Sequence, residues 1–228
     1  MIDPFLEYYK WYPDFNEFTN PIPRPQPIDA VIQFFNGMKN GVFVDVGAYD
    51  GVTWSNTLAL EKYYGWLGIC VEPLDEAYKS LIKERRTTCI KSAVTDFDGE
   101  VDFVSISGYA EMLSGIPSSM PDAHVNRIES EISGHGGEKN VTKVKAERLD
   151  TILSRENLRK IDYLSMDVEC GELNVLKGIN WDLTEIKLIT CEVNGYTDGR
   201  DVYEFLIGKN YKHLGRVCGD EFFAKVTI

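Results

Sequence analysis

From Gly41 onward, short apolar runs alternate with stretches whose apolar residues recur at helical spacing. Val42-Phe43-Val44-Asp45-Val46, Leu67-Gly68-Ile69-Cys70-Val71, Thr88 to Val94, Ile161 to Val168 and Ile186 to Val193 are short and continuous, as strands buried on both faces should be. Between them, five segments read as helices: Trp54 to Tyr64; one carrying Ala77, Tyr78, Leu81 and Ile82 and ending near Arg86; Leu149 to Leu158; and those marked by Leu173, Leu176 and Ile179 and by Val202, Phe205 and Leu206. Strands alternating with helices predict βαβ units and a mostly parallel sheet. Asp98-Gly99 signals a tight turn before the alternating strand Val101 to Val104, and Val141 to Ala146 is a further strand. Two closing strands, around His213 to Val217 and Phe222 to Val226, predict an antiparallel edge hairpin.

Two regions break this pattern. Residues 1–40 are punctuated by Pro13, Pro21, Pro23, Pro25 and Pro27 and carry seven aromatics between Phe5 and Phe18. They predict a separate extension that packs on the domain formed by residues 41–228, with a helix from Ile28 to Met38 leading into it. Ser105 to Asn140 is rich in Ser, Gly and Pro, with Pro117-Ser118-Ser119 and Gly134-His135-Gly136-Gly137. An irregular stretch of that length inside a domain predicts a lid over a binding site.

A chain of 228 residues suits one α/β domain with an extension. The net charge of -12 repels polyanions and ranks nucleic acid behind small-molecule or carbohydrate acceptors. No apolar run approaches the roughly 20 residues needed to cross a bilayer. The first ten residues lack the basic start and apolar middle of a signal peptide. The five cysteines are odd in number and form no C-x-x-C pair, and Cys70 and Cys191 fall within buried strands. Reduced thiols in a cytoplasmic protein are the expectation.

The candidate chemistry lies where strands end. Asp45-Val46-Gly47-Ala48-Tyr49-Asp50-Gly51 joins the first strand to the first helix, the place where open α/β sheets bind ligands. Gly47 removes a side chain from a close approach, and Gly51 accepts turn angles closed to other residues. The turn opens with an acid and departs from G-x-G-x-x-G. A pyrophosphate prefers bare helix N–H groups, whereas a ligand with an ammonium and a sulfonium prefers carboxylates. Asp45 and Asp50 therefore favour S-adenosylmethionine over NAD. Glu72, followed by Pro73, ends the second strand about 20 residues beyond Gly51, where a carboxylate accepts hydrogen bonds from ribose hydroxyls. Ser92, Ala93 and Val94 end the third strand and suit a flat adenine face. Ser165-Met166-Asp167-Val168-Glu169-Cys170-Gly171-Glu172 ends a central strand, and Glu192 and Asn194 end its neighbour. Asp167 and Glu192 are the candidate general bases, and Asp167, Glu192 and Asn194 together are candidate oxygen ligands for Mg²⁺. His124 and His135 lie in the long loop and are candidate substrate contacts, whereas His213 reads as structural. Lys83-Glu84-Arg85-Arg86 reads as a solvated helix end.

Together these motifs resemble the FkbM family of methyltransferases, from about Asn40 to Val226. The resemblance rests on Gly41 to Gly51, Ser55-Asn56-Thr57 with Leu60-Glu61, Gly65 to Pro73, Ala93-Val94 with Asp98-Gly99, Leu149-Asp150 and Ile161 to Glu169. It implies a class I Rossmann-like methyltransferase fold: an α/β domain with a mostly parallel seven-stranded sheet, an antiparallel last strand and helices on both faces. It also implies methyl transfer from S-adenosylmethionine, commonly to a hydroxyl of a sugar or secondary metabolite. Carried over, Asp45, Gly47 and Asp50, with Ala48 and Tyr49 between them, would line the methionine end. Glu72 with Pro73 would hold the ribose, and Ala93-Val94 beside Ser92 the adenine. Cys170 stands where the family usually has glycine. The competing readings are an NAD-dependent oxidoreductase, disfavoured by Asp45 and the missing third glycine, and a non-catalytic module that keeps the cofactor pocket.

Overall fold

The apolar runs pair as their burial requires. The computed structural model describes residues 26–193 and 199–226. In chain order the elements are α1 (Pro27–Phe34), β1 (Val42–Val46), α2 (Leu58–Tyr64), β2 (Leu67–Val71), α3 (Asp75–Glu84), β3 (Thr88–Ile90), β4 (Ala93–Thr95), β5 (Gly99–Ile106), α4 (Asp122–His135), β6 (Lys139–Arg148), α5 (Leu149–Arg155), β7 (Lys160–Met166), α6 (Glu172–Lys177), β8 (Glu185–Glu192), α7 (Arg200–Gly208), β9 (Tyr211–Val217) and β10 (Asp220–Lys225). The main sheet has seven strands in the order β3-β2-β1-β7-β8-β10-β9. β3, β2, β1, β7 and β8 are mutually parallel, and β10 runs antiparallel to both of its neighbours. The closing hairpin is therefore not confined to the edge: β10 inserts beside β8 and leaves β9 outermost.

Both sheet faces are covered. On one, Val44, Val46, Ile69, Leu164 and Ile189 pack with Ile152 of α5, Leu176 of α6 and Leu206 of α7. On the other, Phe43, Cys70, Tyr163, Leu188 and Phe222 pack with Val31 of α1, Leu60 of α2 and Leu81 of α3. Trp66 is fully buried there, and its indole N–H donates to the Met38 carbonyl at 2.8 Å, so the ring's only polar group is satisfied.

The structure departs from the sequence pattern at four places. The run Thr88 to Val94 is two strands: β3 closes the main sheet, and β4 joins a separate three-stranded sheet ordered β4-β6-β5. The chain breaks at Lys91-Ser92, where the Ser92 hydroxyl donates toward the carbonyls of Ala93 and Lys145. The first helix starts at Leu58, not Trp54, because side chains cap the preceding backbone. Asp50 accepts from the N–H groups of Val52 and Thr53, and Ser55 from those of Thr57 and Leu58. The helix expected from Ile28 to Met38 spans Pro27–Phe34, and the aromatic, proline-rich residues 1–25 lie outside the described residues.

The largest departure is at Ser105 to Asn140, expected to be irregular. It contains two 3-10 turns (Gly108–Leu113 and Pro117–Ser119) and the 14-residue helix α4. Val104, Ile106, Ala110, Leu113 and Ile128 give it a small core of its own. Its base is closed where the Ser107 N–H donates to the Glu138 carbonyl at 2.9 Å and the Glu138 N–H to the Ser107 hydroxyl at 3.0 Å. Among the described residues, no helix is long and apolar enough to cross a membrane.

Candidate active site

The chain runs from β1 outward through β2 to β3, then returns to the other side of β1 as β7 and β8. The switch of direction beside β1 opens a crevice at the carboxyl ends of the strands, where such sheets bind ligands. There a cleft encloses about 700 Å³, counting its open mouth. Gly47 and Tyr49 wall it after β1, Glu72, Pro73 and Leu74 after β2, and Asp167, Val168 and Glu169 after β7. Ser92, Ala93 and Val94 form one end, facing Phe103 and Ile116. Glu111, Met112 and Ser114 close it from the segment between β5 and α4. Among the described residues, no Lys, Arg or His side chain lines it.

The cleft gathers seven of the ten residues expected to hold a cofactor: Gly47, Tyr49, Glu72, Pro73, Ser92, Ala93 and Val94. Asp45, Ala48 and Asp50 are not among its lining residues. Strand alternation turns Asp45 to the same face as Phe43, where its carboxylate accepts from the Thr57 hydroxyl at 2.5 Å and stands 3.9 Å from Arg85. Burial raises its pKa, and Arg85 and Thr57 pull it back down. Asp50 caps its own turn, which lowers its pKa against the cost of desolvation. Ala48 is buried and apolar. At Gly47, which lines the cleft, a Cβ would sit 1.7 Å from the Asp167 carbonyl oxygen. The missing side chain lets the turns after β1 and β7 pack together.

Glu72 is the best-organised acid of the site. It is buried, with Oε2 accepting from the Tyr49 N–H at 3.0 Å and Oε1 from the Leu74 N–H at 2.7 Å. Burial pushes its pKa up to about 7, against the lowering by those two N–H groups. Tyr49 holds φ at +48°, a left-handed turn that aims its N–H at Glu72. Its phenol is pushed up to about 12 by burial and by Glu111 and Asp50 nearby.

The other end of the cleft is acidic. Met166 pairs with Cys191 across β7 and β8, so Asp167 and Glu192 leave the sheet side by side. Glu192 in turn pairs with Asp220 of β10. Carboxylate oxygens of Asp167, Glu169 and Glu192 lie within 4.8 Å of one another. Asn194, the third expected Mg²⁺ ligand, lies outside the described residues. Asp167 opens to the cleft, and its carboxyl is held well above the usual range by desolvation, then by repulsion from Glu192, Glu169, Asp220 and Glu172. Glu172 and Asp220 are each pushed up to about 7, chiefly by burial and secondly against hydrogen bonds that favour the ionised form.

These shifts fix a sign. A carboxyl whose folded-state pKa is raised binds its proton more tightly folded than unfolded. Its contribution to stability is full below pH 4 and is lost as pH rises through about 7. The ligand-free protein is therefore expected to unfold at a lower temperature at pH 8 than at pH 6, with Asp220→Asn shrinking the difference. Equal midpoints for the wild type at the two pH values would show that these acids are not destabilised by folding.

The histidines do not line the cleft. His124 is fully buried in α4, with Nε2 3.3 Å from the Leu113 carbonyl and Nδ1 3.8 Å from Glu169. Burial lowers its pKa, which keeps the ring neutral at pH 7. His135 lies on the surface, stacked on Tyr109. His213 bonds Glu221 at 2.8 Å, a structural pairing between β9 and β10. Glu169 and the Glu111 to Ile116 wall were not singled out in the sequence. Glu169 sits inside the acidic motif that marks Asp167, whereas the wall comes from a segment with no strand-end signal.

Glu169 and Cys170 both have positive φ, +52° and +76°. The turn that presents Glu169 is thus one that glycine adopts without cost. Cys170→Gly is expected to raise stability by about 0.5–1 kcal/mol, the relief of the left-handed strain less the entropy glycine gains when unfolded. Urea unfolding tests it, and a loss of stability would show that the Cys170 side chain contributes packing that outweighs the strain.

Comparison with known proteins gives the following. The family described as methyltransferase FkbM domain matches residues 45–221. The fold is similar to the crystal structure of methyltransferase FkbM from Methylobacillus flagellatus KT, with a TM-score of 0.51 and 11% identity over 97% of this chain and 60% of that one. The chain thus spans 60% of that protein's length. It is also similar to a precorrin-6y C5,15-methyltransferase from Geobacter metallireducens GS-15 (TM-score 0.47, 8% identity, 92% of each chain). A methyltransferase from Pyrococcus furiosus gives a TM-score of 0.43 at 13% identity, over 98% of this chain and 97% of that one. No curated protein sequence matches the chain.

Proposed function

Since the chain belongs to the FkbM methyltransferase family and has the class I methyltransferase fold, we propose that its cleft binds S-adenosylmethionine and directs the methyl group to a hydroxyl oxygen of a small or carbohydrate-like acceptor. The observation that carries this reading is Glu72: a buried carboxylate at the end of β2, fixed by two backbone N–H groups and facing the cleft. Each carboxylate oxygen can accept a further hydrogen bond, which suits a ribose diol. The residues present fit the cofactor elsewhere too. Val94, Phe103 and Ile116 offer an apolar slot for the base beside Ser92, and the acids beyond Gly47 suit an ammonium and a sulfonium.

The cofactor supplies a methyl group already activated on a sulfonium. The protein's task is to hold the acceptor oxygen in line, keep water out and take the hydroxyl proton. Asp167 serves as the base in this reading, with Glu192 beside it sharing the charge. Its raised pKa makes it a stronger base than an ordinary carboxylate once ionised, and rate should rise with pH as it deprotonates. Asp45 and Asp50 contribute indirectly, by setting the turn that carries Gly47 and Tyr49. The overall charge of -12 and the cation-free cleft both speak for an acceptor other than nucleic acid.

Thermal unfolding with S-adenosylhomocysteine or NAD⁺ tests the reading. At 100 times its dissociation constant a ligand stabilises the fold that binds it by about 2.7 kcal/mol, a shift of several degrees. S-adenosylhomocysteine should produce that shift and NAD⁺ should not. The reverse pattern would favour the oxidoreductase reading.

A further inference from the structure

We propose that His124 is a positioning residue of the cleft: its ring meets Leu113 on one side and Glu169 on the other, and so fixes the wall from Glu111 to Ile116 against the turn after β7. This rests on the methyltransferase reading, which supplies the ligand for the test.

The first ground is where the ring lies. His124 is fully buried, with Nε2 3.3 Å from the Leu113 carbonyl and Nδ1 3.8 Å from the Glu169 carboxylate. A carbonyl only accepts, so Nε2 carries the N–H in the first contact and Nδ1 is the atom turned to Glu169. Leu113 lies between Met112 and Ser114, which line the cleft, and Glu169 lines it from the other side. One ring thus touches both walls from behind. The small core around it, Val104, Ile106, Ala110, Leu113 and Ile128, is apolar. On packing alone an apolar side chain would serve there without the cost of burying two ring nitrogens.

The second ground is the strained turn that the ring meets. Glu169 and Cys170 hold φ at +52° and +76°. Consecutive left-handed residues other than glycine persist only where their surroundings hold them. Gly115 supports the backbone: a Cβ there would stand 3.4 Å from the Glu169 Cβ and 3.5 Å from its carbonyl oxygen. Asn174 of α6 donates to the Ser119 hydroxyl at 3.2 Å and ties the same segment down farther along. His124 adds the contact from α4 to the Glu169 carboxylate. At 3.8 Å that contact is longer than a hydrogen bond. Polar contacts around an empty site are often long and tighten in the complex, so a ligand filling the cleft should draw the pair together.

The test titrates the whole chain with S-adenosylhomocysteine by calorimetry. His124→Leu should weaken binding about 10-fold, but by less than about two-fold once Glu169→Gln is present, because the ring acts through that carboxylate. His124→Gln keeps an N–H for Leu113 but nothing facing Glu169, and should lose affinity as His124→Leu does. His124→Asn, whose amide reaches the place of Nδ1, should recover part of the loss. Ile128→Ala loosens the same small core one turn along α4 and, compared at matched thermal stability, should lose less affinity than His124→Leu. Equal losses in those two variants would make the ring's role merely structural and overturn the proposal. So would wild-type affinity in His124→Leu, or the same loss with and without Glu169→Gln. A second readout needs no variant at His124 to fold. The chain has three histidines, and the His124 Nδ1 resonance in ¹⁵N NMR should shift when S-adenosylhomocysteine is added to the wild type, and not in Glu169→Gln. An unmoved resonance in the wild-type complex overturns the proposal. Failure of the wild type to bind S-adenosylhomocysteine at all would overturn the methyltransferase reading, and this proposal with it.

Discussion

Glu72→Ala should weaken S-adenosylmethionine binding by at least about 100-fold while leaving the chain folded. A hydrogen bond to a charged group contributes about 1.5–3 kcal/mol, and a ribose diol makes two, so the loss begins at about 3 kcal/mol. A second effect adds to it. Glu72 accepts from the Tyr49 N–H at 3.0 Å, so its removal also frees the left-handed turn after β1 that forms the facing wall. Stability should change in the opposite sense near neutral pH, because burial has pushed this carboxyl up to about 7 and its charge is unwelcome in the empty cleft. Titration calorimetry measures the affinity and thermal unfolding the stability. Wild-type affinity in Glu72→Ala would place the ribose elsewhere.

The largest loss of stability is expected at a residue outside the cleft. Arg85 follows α3 and is buried, with no side-chain exposure. Its Nε donates to Glu61 at 2.8 Å, its terminal nitrogens to the Thr57 hydroxyl at 2.9 Å and, at 3.4 Å, to the Gly51 carbonyl and the Ser55 hydroxyl. Asp45 is 3.9 Å away, and the guanidinium lies 5.3 Å from the centre of the Phe43 ring. One planar cation thus ties β1, the turn after it, α2 and α3. Arg85→Ala removes the only cation balancing buried Asp45 and Glu61 among these contacts, and such a break costs about 3–5 kcal/mol. Against a total stability of about 5–15 kcal/mol, the variant should be marginally folded. Arg85→Lys should recover little, since one ammonium cannot span partners arranged for a fork. Urea unfolding provides the measure. A loss below about 1 kcal/mol in Arg85→Ala would mean that water reaches Asp45 and Glu61.

Arg85 also shows where the sequence stops being informative. In Lys83-Glu84-Arg85-Arg86 nothing distinguishes the buried cation from its exposed neighbours, because its hydrogen-bond partners lie 24 to 34 positions away. Asp45 shows the complementary case. An acid at a strand end suggests a ligand contact, yet alternation along β1 turns it from the cleft toward Arg85. Glu72 and Asp167, just past the last paired residues of β2 and β7, do face the cleft, and continuous apolar runs made those strand ends visible. The helix α4 carries Val125, Ile128 and Ile132 at helical spacing, but the Ser, Gly and Pro on either side of it hid that short stripe. The cleft wall from Glu111 to Ile116 has no such signal, because its placement depends on a small core shared with β5 and α4. Local pattern fixes where strands start and stop. Which way a loop folds back over the sheet is decided by contacts far apart in the chain.

A crystal structure of the chain with S-adenosylhomocysteine tests the central claim most directly. The ribose hydroxyls should lie on the Glu72 carboxylate, the base between Val94 and Ile116 beside Ser92, and the sulfur toward Asp167. Ligand density away from the carboxyl ends of β1, β2 and β7, or a ribose with no contact to Glu72, would contradict it.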